Sequence, residues 1–350
     1  MYLNEHRSIN FILVNFESEY SINYIPMIEK ILITGASGFI GYHIIDRLLT
    51  EGFLVYGIDG MFRFGRYDLL LKKRRLEMLK RHINSRNFIF TKDRVNYNSL
   101  LKAGEVDCII HLAGVSGIER FETTQDTSRK ITIEAAEGVL RYAQERDIPV
   151  IYASSSSIYG RVNIRRFSEG ISNLRPISSY AKTRLDIERR FLDAKVRSIG
   201  LRLFTVYVEY GRPDMSYFIF ADRIFNNKNL YIYGKGIRRD FTYVKDVVES
   251  VFRLVSKRND ILKRTDKLIL NVGRGEAVPL EDVVGIIADL LGKKPRVLYR
   301  EERAFDTRYT CADNSLLKKI TGYKPQTDIK DGLKRFVQWY KDIFIKQIKK

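Results

Sequence analysis

The chain has 350 residues, 45% of them hydrophobic and 29% charged, with 23 glycines and 7 prolines; this is a globular composition of about two domains and excludes disordered, collagen-like and low-complexity designs. No apolar run approaches the roughly 18 residues of a membrane-spanning helix, and the two cysteines, Cys108 and Cys311, form neither a disulfide scaffold nor, without CxxC spacing or a Cys/His cluster, a metal site. Sixty-one Lys and Arg against 42 Asp and Glu leave a formal charge of +19, but the dense basic runs, residues 72–75 and the chain end, lack interleaved aromatics, so a solvated basic surface is expected and nucleic acid is not an expected partner.

Residues 1–26 lack the small-residue cleavage pattern of a signal peptide and read as a leader before a folded unit beginning at Met27. The compartment expected from the missing signal and the few cysteines is the cytoplasm. From residue 30 the pattern alternates. A buried strand at 30–34 precedes a helix at 40–50, a strand at 54–59 and a basic helix at 69–84. Strands follow at 88–91 and 106–112, then a helix at 131–146, a strand at 150–154 and a helix at 180–194. Further strands are expected at 198–204 and 268–272. Strands alternating with helices predict an α/β fold, a doubly wound parallel sheet with helices on both faces. Residues 207–237 and 278–323 break this rhythm and read as parts of a smaller, discontinuous unit.

The first strand runs into Thr34-Gly35-Ala36-Ser37-Gly38-Phe39-Ile40-Gly41, a GxxGxxG spacing between strand and helix. Gly35 permits the tight turn, Gly38 lets backbone approach a pyrophosphate, and Gly41 lets the helix pack close to the strand. The helix N-terminus then offers free N–H groups and a partial positive charge to phosphates. The second strand ends in Asp59, about 20 residues on, where a carboxylate holds a ribose diol and repels a 2′-phosphate; NAD is therefore expected over NADP, with nearby Arg63 weakening that preference a little. Asp93, after the third strand, is placed at the adenine. His111-Leu112-Ala113-Gly114 ends the fourth strand, where small residues let a cofactor cross the strand ends; His111 itself reads as a satisfied strand-end histidine.

With HLAG, the run Ser154-Ser155-Ser156-Ser157-Ile158-Tyr159-Gly160 and Tyr180-Ala181-Lys182-Thr183-Arg184, the chain resembles the extended short-chain dehydrogenase/reductase family, with its Rossmann-type sheet and smaller C-terminal substrate domain. More narrowly it is similar to UDP-glucuronate 4-epimerases, from about residue 30 to 340. The sharpest stretches are Arg66-Tyr67-Asp68-Leu69-Leu70-Leu71-Lys72, Phe204-Thr205-Val206-Tyr207, Gly211-Arg212-Pro213-Asp214-Met215 and Arg239-Asp240-Phe241-Thr242-Tyr243-Val244. The resemblance implies a dinucleotide-binding domain of residues 27–206 with a returning strand near 239–273, and a substrate domain of 207–238 with 274–345. It implies NAD, a UDP-sugar substrate, and a homodimer formed through the helices at 131–146 and 180–194.

In that family a tyrosine removes the proton from the sugar C4 hydroxyl while hydride passes to NAD⁺; the 4-keto sugar turns over and hydride returns to its other face. The resemblance makes Tyr180 the base and Ser155 the hydroxyl that hydrogen-bonds the reacting C4 oxygen. A phenol with an ordinary pKa of about 10 needs a neighbouring cation to work near neutrality. The family pattern is Tyr-x-x-x-Lys, and here the fourth residue is Arg184, which keeps the charge but is longer and planar. Tyr180 and Arg184 also fall to the nicotinamide ribose, and Ser37, Phe39 and Ile40 to the cofactor loop.

For the substrate, the resemblance gives the diphosphate to Arg239, with Arg303 and Asp306 near the phosphates and uridine ribose. It gives the sugar carboxylate to Ser156, Ser157, Thr205 and Arg212, where a guanidinium pairs a carboxylate through two hydrogen bonds. Departures are Val208-Glu209 where the family has Gly-Pro, Gly117-Ile118-Glu119-Arg120-Phe121 for Gly-Val-Arg-Tyr-Ser, and Thr132 for an asparagine. The family arginine of that second motif is either replaced by Glu119 or moved to Arg120. A UDP-hexose 4-epimerase, a UDP-glucuronate decarboxylase or a non-catalytic NAD-binding relative are the alternatives; a decarboxylase would carry an acid in place of Ser156 or Ser157.

Overall fold

The structure is a computed structural model that describes residues 28–63, 67–162 and 164–348; the expected leader lies outside the described residues. In chain order the strands are β1 (Lys30–Thr34), β2 (Leu54–Asp59), β3 (Phe88–Lys92), β4 (Cys108–His111), β5 (Val150–Ser155) and β6 (Ser198–Leu203). They continue as β7 (Thr205–Tyr207), β8 (Asn229–Tyr233), β9 (Arg238–Tyr243), β10 (Lys267–Val272), β11 (Ala277–Pro279) and β12 (Arg296–Arg300). The helices are α1 (Phe39–Thr50), α2 (Asp68–Lys80), α3 (Tyr97–Leu101), α4 (Ile118–Thr123), α5 (Gln125–Arg146) and α6 (Ser179–Asp193), then α7 (Ser216–Phe225), α8 (Val244–Leu262), α9 (Leu280–Leu291), α10 (Ser315–Thr321) and α11 (Ile329–Trp339).

The central sheet has seven parallel strands in the order β10-β6-β5-β4-β1-β2-β3. Its middle strands are near-continuous apolar runs because helices cover both faces. One face packs Ile31, Ile33 and Ile110 under α1, α8 and α10; the other packs Leu32, Ile109 and Tyr152 under α3, α5 and α6. The strand order reverses between β1 and β4, so their outgoing loops part and leave a crevice beyond the carboxyl ends, where ligands bind in open parallel sheets.

A second apolar core lies beyond β6. There β9 pairs with β7 in parallel and β11 in antiparallel, and β8 pairs with β12. Phe218 of α7 meets Phe336 of α11 and Phe344 beyond it at ring-centroid distances of 5.6 and 4.8 Å. This core forms the opposite wall of the crevice.

Several elements differ from expectation. The helix expected at 131–146 begins at Gln125, and the expected strand 106–112 narrows to Cys108–His111, which pair with β1, the last three of them also with β5. Residues 244–262, where no helix is expected, form α8. Val244, Val247, Val248, Val251, Leu254 and Val255 recur at helical spacing. Valines carry little helix propensity, so burial against α1 decides the outcome.

Candidate active site

Close packing dictates the glycine loop. Gly35 has φ +75° and donates its N–H to the Ile58 carbonyl at 2.8 Å. A Cβ on it would lie 3.0 Å from the Leu112 carbonyl carbon and the Ala113 nitrogen, and one on Gly41 would lie 2.4 Å from the Gly35 oxygen. Loop, α1 and the end of β4 are thus packed backbone to backbone. The first turn of α1 carries no acidic residue and Gly38 supplies no side-chain cap, so its N–H groups are left for a ligand. Asp59 is 5% exposed at the crevice; its carboxylate accepts from the Met61 N–H (2.7 Å), the Lys72 ammonium (2.9 Å) and the Ser37 N–H (3.2 Å). These features fit a dinucleotide: a cradle with no room for a Cβ, orphan donors for a pyrophosphate and an acceptor for a ribose.

Two residues expected at the cofactor, Ser37 and Asp93, are not among the residues that line the cleft. Ser37 is fully buried behind the loop, its N–H on Asp59 and its carbonyl accepting from Arg75 Nη1 at 2.9 Å. Asp93 is turned outward and pairs with the Lys102 ammonium at 2.7 Å, leaving Arg94 and Val95 to line the cleft. Gly35, Gly38, Phe39, Ile40, Gly41, Asp59, Leu112, Ala113 and Gly114 all line one cleft of about 1020 Å³. So do Ser155, Ser156, Ser157, Tyr180, Arg184, Thr205, Arg212, Arg239, Arg303 and Asp306.

Tyr180 sits in the first turn of α6. Ser178 caps that helix by accepting from the Ala181 N–H at 3.0 Å, and the Glu122 carboxylate accepts from the Ser179 N–H at 2.6 Å. Ser155 ends β5, and its hydroxyl accepts from the Ser157 N–H and hydroxyl at 3.2 and 2.9 Å, closing the turn Ser156–Tyr159. Burial by itself pushes the Tyr180 phenol up. The charge of Arg184, the hydrogen bond from Ser155 and the charge of Arg212 outweigh it and hold the phenol below its ordinary value. The Arg184 carbon Cζ lies 5.3 Å from the Tyr180 ring centroid. Its Nη1 donates to the Ala153 carbonyl at 3.4 Å and Nη2 to the Val115 carbonyl at 3.5 Å, while Nε is buried with no acceptor. Lys182 is exposed and off the cleft. The four-residue spacing puts Arg184 on the same helix face as Tyr180, one turn further on. His111 lies beneath, its Nδ1 2.8 Å from the Thr34 hydroxyl; burial and then Arg184 push its imidazole down to about 3, so it stays neutral.

On the facing wall, Arg212 grips Asp214 with Nε–Oδ1 and Nη2–Oδ2 at 3.0 and 2.6 Å. Arg120 reaches the same Asp214 carboxylate at 3.2 Å and Asp68 at 3.1 Å. Glu119 points the other way and pairs with Arg303 Nη1 at 2.9 Å, while the Arg303 guanidinium lies 3.7 Å from the Tyr233 ring centroid. Burial lowers Arg239 and raises Asp306, and the two interact across the cleft.

Sequence reasoning misses the supports. Buried Arg75 donates to the Ser37, Tyr210 and Gly211 carbonyls and so ties the glycine loop to the loop bearing Arg212. Glu188 and Arg202 form a buried pair at 2.6 Å; Glu188 also accepts from the Ser154 hydroxyl (2.7 Å), and Arg202 donates to the Tyr159 hydroxyl (2.9 Å). The only signal for either was charge inside segments of helical or strand pattern. Among the described residues no group of three or more His, Cys, Asp or Glu side chains has metal-holding geometry, and no helix is long and apolar enough to cross a membrane.

A glycine loop at the switch point of a parallel sheet, facing a tyrosine, a hydroxyl and a fixed cation, defines a dinucleotide-dependent enzyme that handles alcohol protons. The chain belongs to the NAD-dependent epimerase/dehydratase family, whose model matches residues 31–273, and its cofactor is NAD. It is 37% identical to an uncharacterized protein of Methanocaldococcus jannaschii over 89% of this chain and 96% of that one. It is 34% identical to a probable UDP-glucuronate 4-epimerase of Rhizobium meliloti, again over 89% and 96%. The crystal structure of UDP-glucuronic acid 4-epimerase from Bacillus cereus with UDP-glucuronic acid and NAD superposes with a TM-score of 0.80 at 26% identity, covering 90% of this chain and 99% of that one.

Proposed function

We propose that this NAD-dependent nucleotide-sugar epimerase inverts C4 of UDP-glucuronate to give UDP-galacturonate. The observation that carries the reading is the Arg212 fork. It already holds a carboxylate, that of Asp214, in two-bond geometry on the cleft wall facing Tyr180. Asp214 keeps Arg120 as a second partner, so a sugar carboxylate can take its place on Arg212 without stranding it. The relatives named UDP-glucuronate 4-epimerase support the same substrate.

When bound, NAD⁺ supplies the acceptor that takes hydride from C4 and gives it back. The chain supplies the rest. The α1 N-terminus and Asp59 hold the cofactor's pyrophosphate and ribose. Tyr180, made more acidic by Arg184 and Ser155, takes the C4 hydroxyl proton and returns it. Arg239 and Arg303 hold the diphosphate, with Asp306 beside them. Ser156, Ser157, Thr205 and Arg212 keep the carboxylate near the ring plane; at the 4-keto stage this keeps the carboxylate's C–C bond near the carbonyl plane, out of line with the carbonyl π orbital, and suppresses loss of carbon dioxide. No acid stands at Ser156 or Ser157, which favours epimerisation over decarboxylation.

Homodimer pairing through α5 and α6 is part of this proposal, and the exposed Leu192 on α6 supports it. So is a cytoplasmic setting, in keeping with two buried free thiols. The decisive experiment incubates purified protein with UDP-glucuronate and NAD⁺ and follows UDP-galacturonate by chromatography. Product formed in both directions is expected; no product from protein that binds NAD refutes the proposal.

A further inference from the structure

We infer that Thr132, a residue behind the cleft wall, is the positioning residue that allows an arginine to serve at position 184. The inference rests on the proposed epimerase reading only in needing a substrate to turn over.

Thr132 lies in the second turn of α5 and is fully buried. Its hydroxyl donates to the Ser128 carbonyl at 2.6 Å and accepts from the Val115 N–H at 3.0 Å. The carbonyl of that same Val115 accepts from Arg184 Nη2. Thr132 and Arg184 therefore hold one residue of backbone from opposite ends. The same two side chains crowd Gly114, which has φ +140°: a Cβ there would lie 2.8 Å from the Thr132 methyl and 3.2 Å from Arg184 Nη2. Both carbonyl contacts of Arg184 stand at the long limit, 3.4 and 3.5 Å, so a small shift of the Val115 carbonyl is enough to break one of them and let the planar guanidinium move. Without the Thr132 hydroxyl the buried Val115 N–H has no acceptor and the strand-end backbone must shift to find one.

The charged groups facing the Tyr180 phenol are Arg184 on its own helix and Arg212 from the opposite wall; Glu122 of α4 binds the Ser179 N–H next to it, and His111 below stays neutral. Of these, Arg184 alone shares a backbone partner with Thr132. Loss of the hydroxyl should therefore be felt by the phenol through Arg184.

The test uses the full chain and the variants Thr132→Val and Thr132→Ser. Thr132→Val is expected to lower kcat for UDP-glucuronate about tenfold at neutral pH with KM unchanged, and to move the rising limb of the kcat–pH profile up by about one pH unit. Thr132→Ser, which keeps the hydroxyl, should restore both to within about twofold. In an Arg184→Lys background, Thr132→Val should cost less than about twofold, because the contact it supports is already gone. A loss of kcat with an unmoved pH profile, or a fully additive loss in the Arg184→Lys background, overturns the inference, as does an unaltered Thr132→Val enzyme. Ultraviolet titration of the phenol, taken as the difference from Tyr180→Phe, needs no substrate: an upward shift in Thr132→Val supports the inference even if the wild type epimerises nothing, an outcome that would refute the proposed function alone. Should Thr132→Val fail to fold, Thr132→Ala carries the same test, and failure of both to fold overturns the positioning role.

Discussion

Replacing Arg212 with alanine probes the substrate assignment most directly. Its guanidinium makes two charge-assisted bonds to Asp214, at 3.0 and 2.6 Å, and bonds of this kind contribute about 1.5–3 kcal/mol each. A substrate carboxylate exchanges with Asp214 rather than meeting a free cation, so the net gain is nearer one bond than two, about 2 kcal/mol. The variant also leaves the Asp214 carboxylate, held by Arg120, facing the incoming acid; at this partly exposed site that repulsion adds about 1 kcal/mol. The sum, about 3 kcal/mol, is roughly a hundredfold in kcat/KM for UDP-glucuronate. UDP-glucose, which has no carboxylate to lose, should change less than about threefold. Adding Asp214→Asn to Arg212→Ala should recover about fivefold for the acid by removing the repulsion. Initial rates for both sugars, measured chromatographically, decide the matter; an equal loss for acidic and neutral sugars would refute the carboxylate role.

Gly41→Ala places a methyl 2.4 Å from the Gly35 oxygen, so the glycine loop must open and NAD binding should fall by at least about tenfold in a calorimetric titration; unchanged affinity would mean that the loop is not the cradle. Glu119→Gln removes the exposed partner of Arg303 and should lower KM for the UDP-sugar by up to about fivefold, with a raised KM pointing to a direct role for Glu119 in binding. Glu188→Gln strands the buried guanidinium of Arg202, and denaturant unfolding should report a loss of about 3–5 kcal/mol; a loss under about 1 kcal/mol would show that the pair is replaceable. His43 and His111 are held neutral by burial at pKa values of about 3, against about 6.5 unfolded. The unfolded chain therefore binds two more protons between those limits, and stability should fall on acidification from about pH 6 by about 2.7 kcal/mol per pH unit from these two groups; the double variant His43→Gln/His111→Gln should flatten that slope.

Local chemistry explains how much of this was readable in advance. The strand–glycine loop–helix unit, the acid ending β2 and the Tyr180/Arg184 spacing are contained within short stretches, where hydrophobic period and residue type act directly. The valine helix α8 is different, since its period was present but its propensity was weak and only burial against α1 settled it. Asp93 and Ser37 have the residue types of cofactor ligands. In the structure Ser37 is buried in the tight turn and Asp93 pairs with Lys102 at the surface, positions that residue type alone does not encode.

By itself the sequence determined the alternating sheet, the dinucleotide loop and the residue types that meet in the cleft, because each depends on neighbours within a turn or a strand. Only the tertiary structure decided which charges pair across it. Arg212 and Arg120 with Asp214, Glu119 with Arg303, Arg75 with two loops, and Thr132 with Arg184 through Val115 are contacts between segments distant in the chain or set by a loop's path. Such contacts form when packing fixes distances of a few ångströms, and no periodicity in the chain encodes those distances.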